Sequence, residues 1–273
     1  MEFITAEEYL SHFYKIENAR KNLPLADENY VKQWQEYSGQ NFFEFMKEKF
    51  LIETDKYKFN EPAKIILTFT KTMGGTLPVI LTFNHEDFIK MEALINGRNV
   101  LSELPPTVNA FTISARNKKI YNHRIILLND APYSNILAEN FGLNETEWLK
   151  KSYKLRLRHE AAHYETLRIL GGMKNHALDE ILADALGQIA AFGNFSADRQ
   201  RLFFGLNGDK CTGRLQFYCK KVLENERHLI YQAVDNVLDT VEEKIFNALN
   251  ENLSEENILY MLAGQSITKL KTL

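Results

Sequence analysis

The chain has 273 residues, 45% of them hydrophobic, and a formal net charge of −3 from 33 basic and 36 acidic residues. That length and composition can bury a sizeable core, and basic residues scattered over a weakly acidic chain argue against the concentrated positive footprint of a nucleic-acid binder. No apolar run approaches the roughly 18 residues that would span a bilayer. The acidic, amphipathic opening MEFITAEEYLSHFYKIENARK does not read as a signal peptide, and Cys211 and Cys219 match neither a disulfide framework nor a zinc knuckle. The expectation is a soluble, cytoplasmic protein with reduced, inert thiols and neither nucleic acid nor membrane as partner.

In chain order, residues 1–60 read as an N-terminal helical segment, because Phe42, Phe43, Phe45, Met46 and Phe50 recur at helical spacing. These aromatic side chains are expected in core and groove wall. The period then changes. AKIILTFT and TLPVILTFN are β-rich runs separated by KTMGG, whose paired glycines suit a hairpin turn. A helix follows from about Asp87 to Ile95 and ends near Gly97. Pro105-Pro106 then forbids helix before two further strand candidates, VNAFTIS and HRIILLND, joined by an exposed loop, ARNKKIYN. Residues 61–143 thus form a small β-sheet subdomain, antiparallel or mixed. From Asn144 the pattern is helical almost to the end, making 144–273 a helical subdomain and the whole chain α+β.

The third segment carries the chemistry. Asn144 with Glu147 makes a helix N-cap and reach-back pair, and Gly171-Gly172 stops the helix about 26 residues later. Leu155, His159, His163, Leu167 and Leu170 follow one stripe, so two histidines occupy positions where core leucines are expected. Four residues turn a helix through about 400°, which sets the two imidazoles about 40° apart and about 6 Å along the axis, able to converge on one ion. Glu160 between them reaches a water on that ion without having to ligate it. Zinc in such a site needs a third protein ligand and one open position. On the next helical segment His176, Glu180 and Asp184 form a polar stripe at spacings of four among apolar residues. Glu180 serves as third ligand, with Asp179 or His176 as alternatives, and Asp184 accepts from the free ring N–H of His159.

His159-Glu160-Ala161-Ala162-His163 followed by Glu180-Ile181-Leu182-Ala183-Asp184 resembles the gluzincin clan of zinc metallopeptidases, to which thermolysin and the prenyl endopeptidases belong. VNAFTIS resembles the clan's edge strand, on which an extended substrate adds as one more strand. The resemblance covers about residues 109–190. It implies a zincin-like α+β fold, with the sheet packed on the active-site helix and helical segments before and after. The implied cofactor is Zn2+, held by His159, His163 and Glu180, with Glu160 as general base for hydrolysis of a peptide or protein substrate. Asn109 and Ala110 would flank the cleft. A donor to the developing oxyanion is also needed, and relatives use a downstream Tyr or His. His228 and Tyr231, three apart in NERHLIYQAVD, are the candidates. Cytoplasmic regulatory peptidases that cut repressors share HExxH and a downstream acidic ligand and stay open as neighbours. His12, His85 and His123 have no metal spacing and are expected at the surface or in turns. The competing reading is a catalytically inactive protein in which the polar cluster, with or without zinc, is a staple and the chain acts as a protein-interaction module.

Overall fold

The structure, a computed structural model, describes residues 4–16, 21–172 and 176–270, so the link at 173–175 expected to reverse the chain lies outside the described residues. In chain order the first elements are α1 (Ala6–Leu10), α2 (Val31–Trp34), α3 (Phe42–Phe50), β1 (Ile66–Thr72) and β2 (Gly75–Thr82). Next come α4 (His85–Ile95), β3 (Ala110–Ser114), β4 (Arg124–Asn129) and the long α5 (Glu145–Leu170). The remainder comprises α6 (Ala177–Phe192), α7 (Ala197–Phe204), β5 (Leu206–Asn207), β6 (Lys210–Cys211), α8 (Leu215–Tyr218), α9 (Arg227–Asn250), α10 (Glu255–Ala263) and α11 (Ile267–Leu270). The chain is α+β, and no helix among the described residues is long and apolar enough to cross a membrane.

Two compact units account for these elements: residues 22–165, and 166–273 together with 1–21. The expected division into 1–60, 61–143 and 144–273 therefore gives way to a different one. The first 60 residues divide because residues near the N-terminus are tied to the C-terminal half. Ile4 N donates to Lys221 O (3.0 Å), and the Tyr9 hydroxyl accepts from Ala177 N (2.7 Å) at the start of α6.

In the unit of residues 22–165 a four-stranded sheet has the order β1-β2-β4-β3. The glycine turn makes β1 and β2 an antiparallel hairpin, β2 runs parallel to β4, and β3 returns antiparallel to β4. Side-chain alternation gives the sheet two apolar faces. Leu77, Val79, Ile126 and Leu128 pack with Ala161 and Tyr164 of α5. Ile80, Ile113, Ile125 and Leu127 face the other way, onto Phe88 and Met91 of α4 and the aromatic side chains of α2 and α3. Covered on both sides, β2 and β4 read as continuous apolar runs. The loop ARNKKIYN departs from its expected exposure at Ala115 and Ile120, which are fully buried in the same core as Ile113 and Ile125.

His123, expected at the surface or in a turn, directly follows the turn at Tyr121-Asn122 and is half-buried. It stacks on Tyr30 (4.5 Å between centroids), and its Nδ1 accepts from Trp34 Nε1 at 3.1 Å. Burial holds its pKa below the ordinary 6.5, partly opposed by Glu28. The unfolded chain therefore takes up the proton first as pH falls. This contribution to stability is whole above about pH 6.5 and declines as pH drops toward the depressed folded value. Wild type should lose unfolding midpoint between pH 7 and pH 5 more steeply than His123→Gln, and parallel pH slopes for the two proteins would refute the assignment.

In the other unit, α6 is buried from Ala177 through Gln188, its Ala- and Leu-rich sequence surrounding the polar stripe of Glu180 and Asp184 with apolar side chains. Helix α9 buries Ile230, Val234, Val237, Leu238, Val241 and Ile245 along one stripe. The expected helical run is interrupted by the β5–β6 hairpin, where Asn207 pairs with Lys210 and Gly208, at φ +62°, takes the first place of the two-residue turn Gly208-Asp209. Both cysteines are free. Cys219 is buried, with its thiol pushed up to about 12 by that burial.

Candidate metal centre

Helix α5 starts at the expected cap: Glu147 N donates to Asn144 Oδ1 (2.9 Å) and Asn144 N to Glu147 Oε2 (3.3 Å). It ends before Gly171, whose φ of +76° places it in the left-handed region that favours glycine. Between these ends, His159, Glu160 and His163 are all buried. The Nε2 atoms of His159 and His163 face each other at 3.1 Å, with the rings nearly perpendicular. Two nitrogens on a tetrahedral zinc, each about 2.05 Å from the ion, stand about 3.3 Å apart, so this spacing fits one cation. The Nδ1 of His159 lies 3.1 Å from the hydroxyl of Tyr133. That contact directs Nε2 toward His163.

Tyr133 is held by the same helix. Its N–H donates to Ser152 Oγ (3.0 Å), and the Arg156 guanidinium donates to Asn129 O, Ala131 O and Pro132 O at 3.0 to 3.2 Å. Ser134 and Asn135 follow at φ of 51° and 55°, a left-handed pair that non-glycine residues adopt at a cost. One helix thus presents His159 and clamps the loop carrying its ring partner.

The edge strand reaches the other side of the motif. Thr112 Oγ1 lies 2.7 Å from Glu160 O and 2.8 Å from Glu160 Oε2, so its single proton is shared between two acceptors. Asn109 is buried. Its amide donates to Pro106 O (2.7 Å) and accepts from Asn129 Nδ2 (2.8 Å), bonds that pin the start of β3. Asn109 therefore acts within the fold, and Ala110 begins the strand.

On α6, Asp179, Glu180 and Asp184 are buried carboxylates. Arg214 bridges the last two, at 3.3 Å from Glu180 Oε2 and in contact with Asp184 Oδ2. Asp184 also accepts from Gln200 Nε2 (2.5 Å), and Gln200 Oε1 accepts from Gln188 Nε2 (2.9 Å). Tyr14 donates to Asp179. The Tyr218 hydroxyl bonds Glu180, and burial followed by that carboxylate raises its pKa well above the ordinary value. His176 caps α6, its Nδ1 accepting from Leu178 N (3.0 Å) while its Nε2 donates to Tyr9 O (2.9 Å), so both ring nitrogens serve the fold.

The donor atoms of His159, His163 and Glu180 all lie within 4.8 Å of one another. His228, by contrast, is exposed at the start of α9. The Tyr231 hydroxyl is pushed up to about 12, first by burial and then by Cys219 and Cys211. Among the described residues neither side chain hydrogen-bonds Glu180. Tyr218, Tyr133, Thr112 and Arg214 carry no spacing signal in the sequence, and each becomes visible only through its contact with a motif residue.

Fold and site define an α+β protein with a buried His-His-Glu group on helices. The chain belongs to a family of unknown function (DUF7005), which matches residues 107–272 and so includes every candidate ligand and contact residue from Asn109 to Tyr231. No curated protein and no solved structure matches the chain.

Proposed function

We propose that this chain is a zinc-dependent peptidase of zincin-like fold, with His159, His163 and Glu180 as metal ligands and Glu160 as general base. The convergence of the three donor atoms is the observation that supports it most directly. The charge balance supports it too. Buried carboxylates cost several kcal/mol each unless compensated, and a divalent cation beside Glu180 adds to the single positive charge that Arg214 brings to Glu180 and Asp184.

When bound, zinc supplies Lewis acidity, polarising the scissile carbonyl and the attacking water. Glu160 takes the proton from that water and delivers it to the leaving amine. Thr112 holds the Glu160 carboxylate in place. Tyr133 and Arg214 fix one ligand each, Asp184 anchors Arg214, and Tyr218 is the donor we assign to the carbonyl oxygen. The substrate lies extended along β3. A second reading, a metal-free polar staple in an interaction module, draws on the same Arg214 contacts, which already satisfy Glu180 in part.

A peptide library incubated with zinc-loaded protein separates the two. Cleavage supports the peptidase, and intact peptides throughout support the staple. Tyr133→Phe removes one hydroxyl and should weaken zinc affinity by about ten- to a hundredfold, measured by competition with a chromophoric chelator. Unchanged affinity would dismiss the Tyr133 contact as incidental.

A further inference from the structure

The hairpin that carries β3 has a charge pattern unlike the rest of the chain. Acidic residues outnumber basic ones overall, 36 to 33, yet none occurs between Glu103 and Asp130. That stretch holds Arg116, Lys118, Lys119 and Arg124, the first three exposed in the turn that follows β3. No ion pair involves any of the four among the described residues. They place positive charge at one end of a sheet edge, with Glu28 near Arg124 and, among the described residues, no carboxylate paired with the exposed three.

The edge itself is open. β4 pairs with β3 on one side, and among the described residues no strand pairs with the other. Antiparallel ladders alternate between bonded and non-bonded pairs. Asn129 N donates to Asn109 O and Ala115 N to His123 O, each at 2.9 Å, so the odd-numbered residues of β3 bond β4. The N–H and C=O groups of Ala110, Thr112 and Ser114 therefore point outward. Another extended backbone matches such a row of alternating donors and acceptors. Arg116 follows Thr112, whose side chain touches Glu160, by four residues, about 13 Å at 3.3 Å per residue.

We infer that β3 takes up an extended peptide bearing acidic residues about four positions from the residue opposite Thr112, the Arg116–Lys119 turn receiving those carboxylates. The inference deepens the peptidase reading by naming its substrate class, and it rests on that reading for the cleavage step alone. Backbone pairing supplies the seat, and the cations select the sequence.

The test uses the full-length Glu160→Gln protein, so that a bound peptide stays intact, with two fluorescein-labelled twelve-residue peptides that differ only in four Glu against four Gln near one end. The acidic peptide should bind about tenfold more tightly at low salt, the scale expected of three or four exposed charge contacts, with the preference shrinking at half-molar salt. Arg116→Gln, Lys118→Gln and Lys119→Gln together should abolish the preference. Ala110→Pro, at an outward-facing N–H of an edge strand, should weaken both peptides alike. Equal affinity for the two peptides overturns the inference. So does a preference that survives the triple substitution, or displacement of the acidic peptide by phosphatidylserine vesicles or a short DNA duplex at lower concentration than by unlabelled acidic peptide. Selective binding that zinc-loaded wild type never follows with cleavage supports the inference and ends the peptidase reading. Cleavage indifferent to acidic content does the reverse.

Discussion

Glu160→Gln should retain its zinc and its melting temperature while turnover of a cleavable peptide falls by at least about a hundredfold, the lower end of the range for a general acid–base group. The substitution keeps the side chain's length and an oxygen that can still accept from Thr112 Oγ1, now 2.8 Å from the carboxylate. It removes the ability to accept a proton from water. His159, His163 and Glu180 are untouched, so metal content reports on the ligands separately from the base. Comparison under single-turnover conditions, on any peptide that wild type cuts, isolates the chemical step. Equal rates would remove Glu160 from the mechanism.

The double variant His159→Ala, His163→Ala should lose the metal altogether. The two Nε2 atoms stand 3.1 Å apart, and a lone Glu180 cannot hold zinc against competing chelators. The sheet should persist, because its core of Leu77, Val79, Ile126, Leu128, Ala161 and Tyr164 contains neither histidine. Two truncated buried side chains will lower the melting temperature by leaving cavities, so far-ultraviolet dichroism is the control for the fold. Wild type should carry one zinc per chain and release it in acid, because protons compete with the metal for its ligand nitrogens. Stoichiometric zinc in the double variant, or none in wild type after reconstitution near neutral pH, would sink the metal assignment.

Much of the scaffold was legible because its signals are short-range. The α5 cap at Asn144 and Glu147, its glycine stop, the hairpin at Met73-Gly74-Gly75 and the strand limits of β3 and β4 follow from spacing within a few residues. The Gly208-Asp209 turn carries an equally local signal, which the helical spacing on either side of it masks.

Residues whose roles depend on distant contacts were not legible. Tyr133 stands 26 positions before His159, and Thr112 stands 48 before Glu160. Arg214 lies 34 after Glu180. A lone tyrosine, threonine or arginine has no periodicity to mark it. His228 and Tyr231 shared a helix spacing that pointed to a site, whereas Tyr218 is the downstream tyrosine bonded to Glu180.

The sequence by itself determined the helix that carries His159, Glu160 and His163, the stripe that turns them inward, and the polar stripe of α6, because helical geometry converts residue spacing directly into direction. Tertiary structure alone decided that β2 pairs parallel with β4 and that residues near the N-terminus join the C-terminal unit. It also decided which side chains meet the motif. Strand order and long-range partners are chosen by which apolar faces and buried polar groups satisfy one another across space, and that choice leaves no periodic trace along the chain.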